Sequence, residues 1–453
     1  MDDTPSFHLV ARTGHPDFLD FPWDRPLARW DDPRIVDYAK GVSRHVVRFV
    51  TEGGRAYALK ETSLALAERE YGMLRRLNEE PLPAVEAVGV VSERLGADGE
   101  RLDSVLITQH LEFSLPYRML FSGRGVPDLR RRLIDALAVL LVRLHLAGFF
   151  WGDCSLSNVL FRRDAGALAA YLVDAETGEW HPALSDGQRL HDLTIATENV
   201  AGELLDLCSA SRLPSDVDPL ETADELGRRY TDLWDELTRE EVIQPGERHR
   251  IEARLRRLNE LGFDVEEFEL VRTADGQEVR VVARVLEEGH HARRLRDLTG
   301  IEVQENQARR LLNDIAEYRA WLAGREGREV PDAVAAYRWL SEVYEPALNR
   351  VPADLRAKLH PAELFHEILE HRWYLAEQRG GDVDTLEAVD DYVENELRNR
   401  ADEHTVLAIG LEDLEDAADL AGTVDLDDAG DGGDAPAIGP PSWPSTGADP
   451  DAG

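Results

Sequence analysis

The sequence predicts a two-lobed α+β domain, then a mainly helical domain with one β-hairpin, then a disordered acidic tail. Three observations predict it. Residues 41–112 read as strands around one helix, residues 113–240 as helices around a few short strands, and residues 241–400 carry repeated helical spacing. A chain of 453 residues is also too long for one ordinary domain. The implied division is 1–40 as an N-terminal extension, 41–112 and 113–240 as two lobes, 241–400 as the helical domain and 401–453 as the tail.

Each element has its own signal. Residues 1–40 are rich in Asp, Pro and aromatics, with Trp23 and Trp30 as expected anchors onto a folded body. His45–Thr51 and Ala56–Lys60 are β-rich and flank Glu-Gly-Gly-Arg, a hairpin turn. Ser63–Asn78 has helical spacing, with Leu64, Ala67, Tyr71 and Leu74 on one side. Val85–Ser92 and Ser104–His110 are two further β-like runs, and Pro127–Leu146 is a long Leu-rich helix. Helical texture returns at Arg189–Leu207, and Arg212–Pro219 resembles a surface loop. Arg248–Leu261 is a basic amphipathic helix, and Phe263–Val285 a hairpin turning at Asp275-Gly276. Helices follow at Asn306–Leu322, Val330–Val343, Pro361–Gln378 and Asp384–Arg400. From 412 onward the chain holds twelve Asp/Glu, no Lys or Arg, and few large apolar residues, the composition of a disordered tail.

Charge and cysteines exclude several classes. With 51 basic and 89 acidic residues, the net charge is −38. Such a surface repels nucleic-acid phosphates and anionic lipid headgroups, so no nucleic-acid partner is expected. Two cysteines, Cys154 and Cys208, fit a reducing compartment and cannot build a disulfide framework or a cysteine-rich metal site. No secretory signal and no integral membrane segment is visible, so the expected location is cytoplasmic.

The chemistry concentrates in His145–Asp174. Asp153 and Asn158 frame D-x-x-x-x-N ahead of an apolar strand, Val159–Phe161. A second apolar strand, Tyr171–Val173, ends on Asp174. Moving a phosphoryl group requires neutralising a triphosphate, which Mg²⁺ does through oxygen ligands. Asn158 and Asp174 supply such oxygens, and Asp153 is placed to orient a hydroxyl and accept its proton. The same scheme needs a strand lysine for phosphates and a helix glutamate to hold it. Lys60 ends the AYALK strand, and Glu70 lies on the following helix. Glu68 is the rival, with Glu70 preferred because Met73-Leu74 follows as an apolar anchor. Gly41, Ser43 and Arg44 form a glycine-poor phosphate loop, and Gln109–Leu111 is the expected adenine hinge, read through Gln109 and Leu111.

Residues from about 41 to 200 resemble the lipopolysaccharide kinase (Kdo/WaaP-type) family, a protein-kinase-like fold acting on sugar hydroxyls. LHLAGFFWGDCSLSNVLF is similar to its L-H-x-x-G-x-x-H-G-D-x-x-x-x-N-x-L stretch. ENQARRLLNDI (305–315) and PAELFHEILEHRW (361–373) look like the DUF4032 domain. The first resemblance implies an ATP- and Mg²⁺-dependent kinase, with Lys60 on phosphate, Asp153 as base, and Asn158 and Asp174 on metal. The acceptor implied is a small molecule or glycan. Two departures bear on this. Trp151 stands where the family usually has His, so the loop is expected to lack that polar anchor. Asp174-Ala175-Glu176 replaces D-F-G, and no A-P-E segment follows, which disfavours activation-loop regulation. Two alternatives stay open: a nucleotide-binding pseudokinase or scaffold acting through a protein partner at residues 291–400, and a protein Ser/Thr kinase.

Plainer readings stand beside these. His145 is expected to be a core histidine bonding the catalytic loop, and Cys154 a buried small residue. His366 and His371 lie at i and i+5, about 140° apart on a helix, so they suit a polar cluster better than zinc. His290-His291 is expected in a loop, and the Arg clusters at 130–132 and 248–257 on solvated helix faces.

Overall fold

The computed structural model describes residues 7–36, 45–122, 127–165, 167–239, 241–243, 267–272, 279–284, 289–381 and 383–399. The chain forms two compact units. Of the described residues, the first holds those up to Arg162 and from Leu168 to 284, and the second holds Arg163–Ala167 and those from Gly289. The expected basic helix at 248–261 and the acidic tail lie outside the described residues.

The first unit opens on a six-stranded sheet in the order β1-β5-β6-β4-β3-β2. Its strands are β1 (His8–Ala11), β2 (Ile35–Val36), β3 (Val46–Glu52), β4 (Arg55–Thr62), β5 (Glu86–Ser92) and β6 (Ser104–Gln109). The β3–β4 hairpin turns on Gly53-Gly54, both at positive φ, 58° and 79°. A two-residue loop of that kind matches the twist of the flanking strands. Residues 7–36 do more than anchor, because they supply both edge strands. Gly89 on β5 faces Ala11, and a Cβ there would come within 2.4 Å of the Val10 carbonyl oxygen, so only glycine lets β1 close on that edge.

Trp23 and Trp30 are buried, as expected, in a cluster with Phe18, Phe21, Val50 and Tyr57. Arg94, fully buried, ties the segment down. It pairs with Glu61 at 2.7 Å and donates to the carbonyl oxygens of Trp23, Arg25 and Asp103. A buried guanidinium is tolerated only when its donors find acceptors.

Helix α1 (Leu64–Glu79) packs on the sheet through Ala67, Leu74 and Leu77, with Glu70 buried on the same face. Below it lie α2 (Tyr117–Ser122), α3 (Pro127–Leu146), α4 (Asp186–Ser209) and α5 (Pro219–Thr238). Strand β9 (Val159–Asp164) lies between β10 (Ala167–Leu172) and β7 (Ser114–Pro116), and β8 (Phe149–Phe150) pairs with β11 (Glu179–Trp180). Helix α4 starts earlier than its apolar spacing predicts because Ser185 and Gln188 form a capping box. Helix α5 is capped by Asp218, which accepts from the amides of Leu220 and Glu221. The expected hairpin is present as β13 (Glu267–Arg272) against β14 (Val279–Arg284), with Leu270 facing Val281. A third strand, β12 (Glu241–Ile243), joins it.

The second unit is helical. Helices Glu305–Glu326, Asp332–Trp339, Pro361–Arg379 and Thr385–Asn395 enclose a core that includes Leu311, Trp339, Tyr344, Phe365 and Val389. The single helix expected at 330–343 is interrupted by a π-helical turn at Leu340–Tyr344. Asp164, buried, caps the helix Glu305–Glu326 by accepting from the amides of Gln307 at 2.8 Å and Asn306 at 3.3 Å. Among the described residues no helix is long and apolar enough to cross a membrane.

Candidate active site

Four elements bring the predicted charges together. Lys60, near the end of β4, places Nζ 2.9 Å from Glu70 of α1 and 2.7 Å from Asp174, just beyond β10. A third carboxylate, Glu176, lies 3.2 Å from the same nitrogen and 3.2 Å from His45 Nε2. Glu68 is exposed, whereas Glu70 lies on the buried face and meets Lys60. Burial acts against the Lys60 charge, but Glu70 and Asp174 outweigh it and raise its pKa. Glu70 is pushed up to about 7 by burial and by the charge of Asp174, against the pull of Lys60. Three carboxylates thus share one ammonium, a cluster short of positive charge.

The loop between β8 and β9 carries the other two residues. Asn158 Nδ2 donates to the Asp153 backbone oxygen at 3.0 Å and to Asp153 Oδ2 at 3.2 Å. The Val173 amide donates to the Asn158 carbonyl at 2.9 Å, which sets Asn158 beside the start of the Asp174 turn. Asp174 Oδ1 in turn accepts from the Glu176 amide at 2.9 Å.

Helix α4 holds this loop from beneath. Asp192, fully buried, accepts from the amides of Trp151 at 2.7 Å and Gly152 at 2.8 Å, and lies 3.0 Å from His145 Nε2. His145 is the core histidine expected, and it reaches the loop through Asp192. Burial lowers its pKa against the pull of Asp192. Glu203 accepts from the amides of Leu156 and Ser157 at 2.7 and 3.0 Å. Asn199 Nδ2 donates to Asp153 Oδ1 at 3.3 Å and to the Cys154 carbonyl at 3.1 Å. Positions 192, 199 and 203 share one helix face.

Trp151 overturns one expectation. Its indole Nε1 donates to the Asp174 carbonyl at 2.8 Å, so the loop has a polar anchor of another kind. Thr177 adds a bond from its hydroxyl to the Trp151 carbonyl. Burial, with the charges of Asp192, Glu203 and Asp153, pushes the Cys154 thiol well above its ordinary value, which suits a packing residue.

Gln109 ends β6 beside Tyr57 and Glu86, and the His110 amide donates to the Ala56 carbonyl at 2.8 Å; Leu111 follows, partly buried. The Gln109 side-chain oxygen is buried and finds no hydrogen-bond partner among the described residues. Gly41, Ser43 and Arg44 lie outside the described residues. Sequence reasoning missed Asp192, Asn199, Glu203 and Glu176. Glu176, two residues beyond Asp174, carried the one available signal.

Lys60, Glu70, Asp153, Asn158 and Asp174 all fall in one stretch with a family counterpart. Residues 38–195 match the lipopolysaccharide kinase (Kdo/WaaP) family. Residues 232–397 match DUF4032, a domain of unknown function. No curated protein matches the chain. Among solved structures, WaaP in complex with acyl carrier protein is 19% identical, with 50% of this chain and 89% of that chain covered, at a TM-score of 0.31. An aminoglycoside-3'-phosphotransferase of type VIII is 18% identical, with 46% and 89% covered, at 0.32.

Outside the Kdo/WaaP-like segment the expected polar cluster is present. His366 Nε2 lies 2.8 Å from Arg310 and 3.0 Å from Glu370, whereas His371 pairs with Asp391 at 2.8 Å. Different partners for the two histidines fit the non-zinc reading. His290 and His291 begin the helix His290–Thr299 rather than lying in a loop, and His291 Nδ1 sits 3.0 Å from Glu305. Arg130 pairs with exposed Asp216 at 2.8 Å, as a solvated helix face should.

Proposed function

We propose that the Kdo/WaaP-like segment is an ATP- and Mg²⁺-dependent phosphotransferase acting on a hydroxyl of a sugar or other small polar acceptor. The observation that carries this reading is the convergence of Glu70 and Asp174 on the Lys60 ammonium from positions 10 and 114 residues away. The donor set suits the nucleotide and its metal. Lys60 offers a fixed cation to phosphate, Asp174 and the Asn158 side-chain carbonyl offer hard oxygens, and Gln109 offers a buried acceptor with no partner among the described residues. Gly41, Ser43 and Arg44 are proposed to cover the phosphates, with Leu111 packing beside the base.

Mg²⁺, when bound, neutralises the charge of the polyphosphate. Lys60 would hold phosphate oxygens, and Glu70 would fix the lysine in place. Asp153 would orient the acceptor hydroxyl and take its proton as the new oxygen–phosphorus bond forms and the bond to ADP breaks. The proposed location is cytoplasmic.

A scaffold reading has one observation in its favour: Glu176 also sits on Lys60, so the lysine already has three carboxylate partners. In that reading the chain binds nucleotide and acts through a protein partner at residues 291–400. The deciding experiment measures ATP consumption by wild type and Asp153→Ala across a panel of glycans and small metabolites, with mass spectrometry of the protein itself. Acceptor-dependent turnover lost in Asp153→Ala supports the phosphotransferase. Equal Mg·ATP binding with no turnover by either sinks it in favour of the scaffold, and Ser/Thr-phosphorylated protein points to a protein kinase.

A further inference from the structure

We propose that Asn199 is a positioning residue for Asp153, holding its carboxylate while Asn158 serves the metal; this rests on the phosphotransferase reading. Two side-chain amides clamp Asp153, one on each oxygen. Asn158 reaches Oδ2 at 3.2 Å and the Asp153 carbonyl at 3.0 Å, and Asn199 reaches Oδ1 at 3.3 Å and the Cys154 carbonyl at 3.1 Å. Each NH₂ group therefore spends both hydrogens on the loop, one on the carboxylate and one on a backbone carbonyl. Turning either amide over would set oxygen against oxygen, so the orientation of both is fixed by their partners.

The two amides differ in what holds them. Asn158 lies in the loop itself, and its carbonyl oxygen is the group proposed to meet a cation. Asn199 projects from α4, one face of which already grips the loop backbone through Asp192 and Glu203. A donor on a helix fixed at two other points keeps its direction when a loop residue adjusts to a ligand. Nothing in the D-x-x-x-x-N motif marks position 199, which lies 46 residues from Asp153.

The test uses the full chain with Mg·ATP and water as acceptor, following ADP release. Asn199→Ala is expected to lower kcat about tenfold or more while the KM for ATP stays within about twofold, because the residue touches Asp153 and not the proposed nucleotide site. Asn199→Ser, which retains a donor, is expected to recover part of the rate. In an Asp153→Asn background, Asn199→Ala is expected to add no further loss. Asn199→Ala with wild-type kcat, or an equal loss in both backgrounds, overturns the inference while leaving the phosphotransferase reading intact. A wild type that turns over no faster than Asp153→Asn with water and with every acceptor of the glycan and metabolite panel removes that reading, and the inference falls with it.

Discussion

Trp151 donates its indole N–H to the backbone carbonyl of Asp174 across 2.8 Å, joining the loop that carries Asp153 to the turn that carries Asp174. The indole is fully buried. Trp151→Phe keeps most of the apolar contact and leaves that carbonyl without its donor, which costs about 1–3 kcal/mol. Urea denaturation measures the loss, and a Phe variant as stable as wild type would show that the bond contributes little.

Glu70 and its lysine give a pH signature. The ordinary carboxyl value is 4.5, and here it is pushed up to about 7, with burial the largest cause. Between those values the unfolded chain has released a proton that the folded chain keeps. Wild type therefore loses stability from this group as pH rises through the window, and the effect levels off above about pH 7. Glu70→Gln carries no such proton. Its stability relative to wild type is expected to rise from pH 5 to pH 7 and then flatten. A difference independent of pH across this range, in denaturant titrations, would rule the assignment out.

Asp192, buried beside His145, supports two loop amides. Asp192→Ala strands both N–H groups, at about 1–3 kcal/mol each. The expected outcome is a loss of several kcal/mol, together with faster hydrogen exchange at Trp151 and Gly152. Unchanged exchange at those two amides would contradict the role given to α4.

Asp164 in the second unit is pushed up to about 6, chiefly by burial, with the amides of Gln307 and Asn306 pulling the other way. Asp164→Ala removes the cap of the helix Glu305–Glu326 and is expected to cost about 1–2 kcal/mol. Exchange at Asn306 and Gln307 should quicken, whereas the far end of that helix should not change.

Much of the fold was legible because it rests on local signals. Alternation and a Gly-Gly turn define β3 and β4, and the ends of Pro127–Leu146 match its pattern to the residue. The π-helical turn at Leu340–Tyr344 was not legible, since its apolar spacing reads as ordinary helix. At the site, Lys60 and Glu70 were readable because strand and helix adjoin in sequence. Asp192, Asn199 and Glu203 were not, because a polar residue that bonds a loop 40 or more positions away leaves no pattern around itself. Trp151 shows the reverse case, in which a changed residue type keeps the loop's polar anchor by another route.

The edge strands β1 and β2 have a practical consequence. Both precede residue 38, where the family match begins. A fragment cut at that boundary would strip the sheet of its two outer rails and lay bare β3 and β5, whose unmatched backbone groups invite other chains to zip alongside. Such a fragment should clump rather than remain dispersed, and the residues ahead of the family boundary are what keep the sheet to itself.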